Sequence, residues 1–200
     1  MKTTVYYYIS PTGDNPFARF LDSLQKRQQT KILRIIFQIS QYGLLSIIPH
    51  LKKITGTPLW EIRILGSDNI RVLYVARTQD SIFVLHSFVK KTQKTQKKEI
   101  VVALKRCEET KTWLWYHMWY HASMRKINRL YTFEDDLKRR LQDPEFKKAW
   151  EESEAEYLLA KAIIEKRLAK KLSQRDLAKK VKTSQAAISR VEAMNGNPSL

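Results

Sequence analysis

The stretch that most restricts the fold runs from residue 59 to residue 89. It reads "LWEIRIL", "IRVLYVAR" and "SIFVLHSFV", three β-rich runs parted by the turn-forming "GSDN" and "RTQD". The first two make a hairpin, and its register follows from the alternation. Trp60, Ile62 and Ile64 fall on one face of the first strand, Glu61 and Arg63 on the other. In the second strand Ile70, Val72 and Tyr74 alternate with Arg71, Leu73, Val75 and Arg77. A one-residue slip exchanges the faces. A loop of residues 66–69 alone would set Arg63 beside Val72 and mix charge with core on both faces. With Leu65 in the loop, Ile64 pairs with Ile70 and Arg63 with Arg71, and one face becomes wholly apolar. That register is the expected one.

It sets two like charges opposite each other, which costs roughly several tenths of a kcal/mol. An anion held between them reverses the sign. The alternative is that the arginines splay into water or pair with Glu61. The residues that follow favour the anion. "FVKKTQKTQKKEI" leaves the third strand with five lysines: Lys90, Lys91, Lys94, Lys97 and Lys98. If Thr95 caps the next helix, Lys97 and Lys98 lie in its first turn and oppose the helix dipole. Free N–H groups at a helix start attract phosphate. Arg63, Arg71, Lys90, Lys91 and Lys94 are therefore expected to line one phosphate-binding surface.

The composition points the same way. Lys plus Arg number 37 against 20 Asp plus Glu, a formal charge of +17, which speaks of polyanionic partners. No membrane partner is expected, since the chain starts "MKTTVYYYIS" and has no spanning apolar run. The single Cys107 excludes an internal disulfide and fits a cytoplasmic protein. Zinc spacing, a P-loop and a dinucleotide fingerprint are missing, so no metal or cofactor is expected.

Elsewhere, "TVYYYI" reads as a strand, and "DNPFARFLDSL" as a helix capped by Asp14 or Asn15 with Pro16 at its start. "TKILRIIFQISQYG" is a helix ending at Gly43. The helix after the lysines should bury Ile100, Ala103, Leu104 and Cys107. His86 reads as a satisfied near-core histidine. An aromatic junction, residues 110–130, then carries Trp113, Trp115, Tyr116, Trp119 and Tyr120 in "KTWLWYHMWYHASM". It is read as a linker helix whose aromatics pack on a neighbouring domain.

Beyond it the chain is helical and its charge alternates. Residues 134–156 hold nine acids against five bases, and residues 161–190 ten bases against two acids. "SQRDLAKKV" and "SQAAISRVEAM" form two short helices joined by a tight turn. Ser173 and Asp176 make a capping-box pair, and Leu177, Ala178, Val181, Ile188 and Val191 are the expected core.

"LWEIRI", "IRVLYVA", "LHSFVKKTQKT" and "KKEIVVALKR" resemble the RelE/HigB-type toxins of type II toxin–antitoxin systems, the phage-derived Gp49-like group included. The resemblance implies an α+β toxin domain over residues 1–109, a curved antiparallel sheet with flanking helices. It also implies ribosome-dependent cleavage of mRNA without a metal. Arg63, Arg71 and Lys91 match its catalytic cations. Lys90, Lys94, Lys52, Lys53 and His50 are the expected substrate contacts. The general base is open between Glu61, His50 and a lysine of depressed pKa. Gln96 stands where the family often has proline.

Residues 131–200 resemble a HigA-type antitoxin carrying an all-α XRE helix-turn-helix over residues 173–194. By that resemblance Ser184, Gln185, Ala186, Ser189 and Arg190 present the recognition helix to the major groove. Gln174, Lys182 and Thr183 face DNA phosphates. Lys182 replaces the usual turn glycine, and the family's two closing helices would lie past Leu200, so this domain is expected to be incomplete. The implied partners are the ribosome and mRNA, operator DNA, and a cognate or intramolecular antitoxin. Two competing functions remain. One is a non-enzymatic transcriptional regulator with an inactive toxin half, the other a gyrase-directed toxin of the same superfamily.

Overall fold

The computed structural model describes residues 2–64, 69–78, 80–90, 97–120 and 131–194, the side chains at 48, 49 and 111–120 excepted. Its centre is a five-stranded sheet in the order β1-β5-β4-β3-β2. The strands are β1 (Thr4–Tyr7), β2 (Leu51–Lys53), β3 (Trp60–Arg63), β4 (Ile70–Thr78) and β5 (Ser81–Val89). β2 to β5 run antiparallel, but β1 joins β5 in parallel, so the sheet is mixed and not purely antiparallel.

The hairpin register is the one the alternation selects. Arg63 pairs with Arg71, and the Ile64 amide donates to the Ile70 carbonyl at 3.0 Å. Two faces result. Ile62, Ile64, Ile70, Val72, Tyr74, Ile82 and Val84 join the larger core under α1 (Pro16–Asp22) and α2 (Lys26–Tyr42). Leu73, Val75, Phe83, Leu85 and Phe88 face the other way. They pack with Ala103 and Cys107 of α3 (Lys97–Tyr120), Ile100 and Leu104 lying partly buried beside them.

Of the two candidate caps for α1 the structure selects Asn15, whose side chain accepts from the Ala18 amide. Two local features escaped the sequence reading. α2 begins four residues before Thr30, because Gln25 and Gln28 form a capping box ahead of a polar first turn with no apolar period. β2 is a three-residue edge strand after a 3-10 stretch at Leu44–His50, too short to alternate detectably. The expected cap Thr95 lies outside the described residues, and so do residues 121–130. The first part of the aromatic junction continues α3 as far as Tyr120.

The second half adds α4 (Phe133–Arg140), α5 (Pro144–Glu152), α6 (Glu154–Ala169), α7 (Gln174–Lys180) and α8 (Gln185–Glu192). Each start has a local cause. Thr132 and Asp135 form a capping box, Asp143 caps α5 ahead of Pro144, and Ser173 pairs with Asp176. Ser153 ends α5 and opens α6. These helices share a core with the first half: Phe133, Phe146, Tyr157, Ala160, Ile164 and Met194 belong to the cluster built on α1, α2 and the sheet. The backbone at 131–132 also covers β1, the Tyr7 amide donating to the Tyr131 carbonyl at 3.0 Å, which closes an exposed strand edge.

Within the helix-turn-helix, Ala178 and Ile188 are buried as expected. Val181 is not, with 54 % of its surface exposed. It ends α7 just before the left-handed Lys182 and so points away from the helix interface. A buried ion pair holds the three helices instead. Arg167 of α6 clamps the Glu192 carboxylate at 2.7 and 3.0 Å, and the Gln174 amide donates to the same group.

Candidate nucleic-acid surfaces

The first surface is the part of the sheet that α3 leaves to charge. Residues directly opposite in a sheet share a face. Lys52, Glu61, Arg63 and Arg71 therefore stand on one side, through the pairings Lys52 with Glu61 and Arg63 with Arg71. Phe88 opposes Arg71, and Lys90, two residues on, follows on the same side. The Lys90 amide donates to the carbonyl of Asn69, a left-handed residue at φ 48° that closes the hairpin loop.

Glu61 lies between the arginines. Its Oε1 is 3.3 Å from Arg63 Nε and 3.5 Å from Arg71 Nε. Arg71 is buried and spends one Nη on the Ile70 carbonyl at 2.8 Å, while the Arg63 side chain is 36 % exposed. Burial draws the Arg71 pKa down; Glu61 opposes the shift and Arg63 adds to it. The Lys90 pKa is lowered too, by desolvation first and then by Arg71, with Lys52 and Arg63 contributing and Glu61 opposing. Four cations and one carboxylate thus sense one another across three strands. The pairing with Glu61 is the alternative that the structure shows, and the two arginines stand at the centre of a cationic face.

The expected substrate contacts fare differently. Lys52 and Lys53 are exposed, and the Lys53 ammonium stands 5.0 Å over the Trp60 ring. Lys91 and Lys94 lie outside the described residues. His50 corrects the expectation. It is 2 % exposed, its Nδ1 sits 3.2 Å from the Arg63 carbonyl, and its Nε2 has no hydrogen-bond partner. Burial lowers its pKa, against the carbonyls of Arg63 and Ser189, which favour the protonated ring. A side chain so enclosed cannot reach substrate. His86 is satisfied, as read: Nε2 is 2.7 Å from Glu99 and Nδ1 is 3.0 Å from Arg106. Lys97 and Lys98 occupy the first turn of α3 and are exposed.

The second surface is α8 and the turn before it. Lys182, Thr183, Ser184, Gln185, Ala186 and Arg190 are exposed, with Arg175, Lys179 and Lys180 beside them on α7. Ser184 caps α8 by accepting from the Ala187 amide at 3.1 Å. Two expected DNA contacts are turned inward. Gln174 is bonded to Glu192, and Ser189 is buried with its carbonyl toward His50. Sequence spacing placed them on the right helices, but helix packing decides which side of each helix is wet.

Residues 19–108 match the family model of the phage-derived protein Gp49-like, and residues 163–200 match that of a helix-turn-helix. No curated protein matches the chain. The chain therefore carries a Gp49-like toxin-family domain followed by an XRE-type, DNA-binding helix-turn-helix. It has the organisation of a toxin–antitoxin-like fusion. Among the described residues no helix is long and apolar enough to cross a membrane.

Proposed function

We propose that the first half is a ribosome-dependent, metal-independent mRNA endoribonuclease of the HigB kind, and that the second half neutralises it and represses its own operator. The observation that carries the reading is the cross-strand placement of Arg63 and Arg71 on one cationic face. In the chemistry proposed, the RNA 2′-OH gives up its proton and attacks the adjacent phosphorus. The bond from phosphorus to the 5′-oxygen of the next nucleotide breaks, that oxygen takes up a proton, and a 2′,3′-cyclic phosphate is left. The arginines, with Lys91, stabilise the charge that develops on the phosphorus oxygens, which is often the largest single catalytic contribution. Lys90, Lys94 and Lys52 hold the RNA backbone; Lys53, expected as a fourth contact, pairs with Trp60 on the other face of the sheet and is not part of this surface. On the second surface Gln185 and Arg190 read base edges, with Lys182 and Thr183 on phosphates. The docking of the acidic helices on α1 and α2 supports neutralisation, because a tethered inhibitor acts at high effective concentration.

Mapping new 5′ ends in ribosome-bound mRNA tests the reading. Arg63→Ala, Arg71→Ala and Lys91→Ala should each reduce cleavage by roughly 10²-fold or more. Unchanged cleavage in all three sinks it.

One observation favours a second reading, a non-enzymatic regulator: Glu61 already partners both arginines. A gel shift with the upstream DNA across a salt series tests the operator binding that both readings require; a specific shift without mRNA cleavage favours this alternative, and absence of a specific shift removes it.

A further inference from the structure

Glu61 sits where a carboxylate is costly. It is 1 % exposed, and a charge so far from water persists only beside counter-charges. Those include the two arginines: Arg63 Nε donates to Oε1 at 3.3 Å, and Arg71 Nε lies 3.5 Å from the same oxygen in an ion pair without a hydrogen bond. The burial excludes the role of general base, which needs hydrogen-bond reach to a substrate proton. What the carboxylate does reach is the stem-side Nε edge of each guanidinium. Phosphate recognition uses the fork of N–H groups, and two such forks must converge to grip one phosphate. Without Glu61, two guanidiniums directly opposite on a sheet repel and splay.

We infer that Glu61 is a positioning residue, gathering Arg63 and Arg71 by their Nε edges so that both guanidiniums converge on one phosphate group. This rests on the reading of the face as a phosphodiester site and gives the buried carboxylate its task there. A compact phosphate requires convergent arginines. A flexible single strand is satisfied by cations anywhere on the face, and its affinity follows net charge.

The two ligands separate in an experiment on the full chain with Glu61→Gln and Glu61→Ala. The probes are inorganic phosphate, titrated by 31P NMR, and a 2′-deoxy oligonucleotide that cannot be cut by its own 2′-OH, titrated by fluorescence anisotropy. Both variants should weaken phosphate binding by roughly tenfold, the scale of a lost alignment. Oligonucleotide binding should hold or tighten, since the face gains one positive charge. If both probes tighten together, Glu61 is only a competitor and the inference falls. It falls equally if neither probe responds, or if the isosteric Glu61→Gln loses both in parallel, which marks a residue holding the fold. The underlying reading fails by a different result. Loss of ribosomal mRNA cleavage in the wild type, with the split between the probes intact, leaves Glu61 positioning an anion seat that is not a nuclease.

Discussion

Lys182 adopts φ 55°, the left-handed conformation in which L-residues other than Gly, Asn and Asp are strained. It terminates α7 there because the Thr183 amide must turn back to the Ala178 carbonyl, which it meets at 2.9 Å. Lys182→Gly should therefore raise stability by about 1 kcal/mol in urea unfolding, and an unchanged or lowered midpoint would count against strain at this turn. Two histidines give the chain a pH dependence of definite sign. Burial holds both His50 and His86 below the ordinary 6.5, so the unfolded chain takes up the proton first. Their contribution is full above that value and is lost as the pH falls below it. The charged groups facing them are Arg63 and Lys31 for His50, and Glu99 and Arg106 for His86. The urea midpoint should drop between about pH 8 and pH 5.5, and His50→Gln should flatten part of that drop.

At the scale of elements, the two halves exchange arginines. Arg34 of α2 enters the second half, donating to the Trp150 carbonyl at 2.8 Å and the Ser153 hydroxyl at 2.9 Å. It pairs with Glu154 and lies between the rings of Trp150 and Tyr157, 3.8 and 4.7 Å from their centroids. In the other direction Arg140 of α4 enters the first half and donates to Asp22, Gln29 and the Ala18 carbonyl, while Asp136 holds its Nε. Phe37 adds contacts to Phe133, Trp150 and Tyr157. α2 is thus a core helix on one side and a docking helix on the other. Arg34→Ala removes the partner of the half-exposed Glu154, one of the two donors to the Trp150 carbonyl and the packing on Trp150 and Tyr157, and should weaken docking by on the order of 1–2 kcal/mol. Faster proteolysis of α5 and α6 would report it, and an unchanged cleavage pattern would count against the exchange as the anchor.

Over the whole molecule, the acidic helices cover α1 and α2, which lie on the side of the sheet opposite the Arg63–Arg71 face. Proposed neutralisation by this half then acts through the bulk it adds to the toxin domain and through tethering. Expression of residues 1–109 alone should arrest growth more strongly than expression of the full chain. Equal harmlessness of the two would argue against a tethered inhibitor.

What the sequence determined by itself is whatever short-range physics decides. The hairpin register followed from period-two alternation, because a slip would bury charge, and that alone placed Arg63 against Arg71. The caps at Ser173 and Thr132 and the strained Lys182 follow from neighbours within three or four residues. Tertiary structure decided the rest. The parallel pairing of β1, the burial of His50, Gln174 and Ser189, and the seating of Glu61 between two arginines depend on elements distant in the chain. Alternation tells which residues share a face, but burial on that face is settled only when another element comes to lie on it.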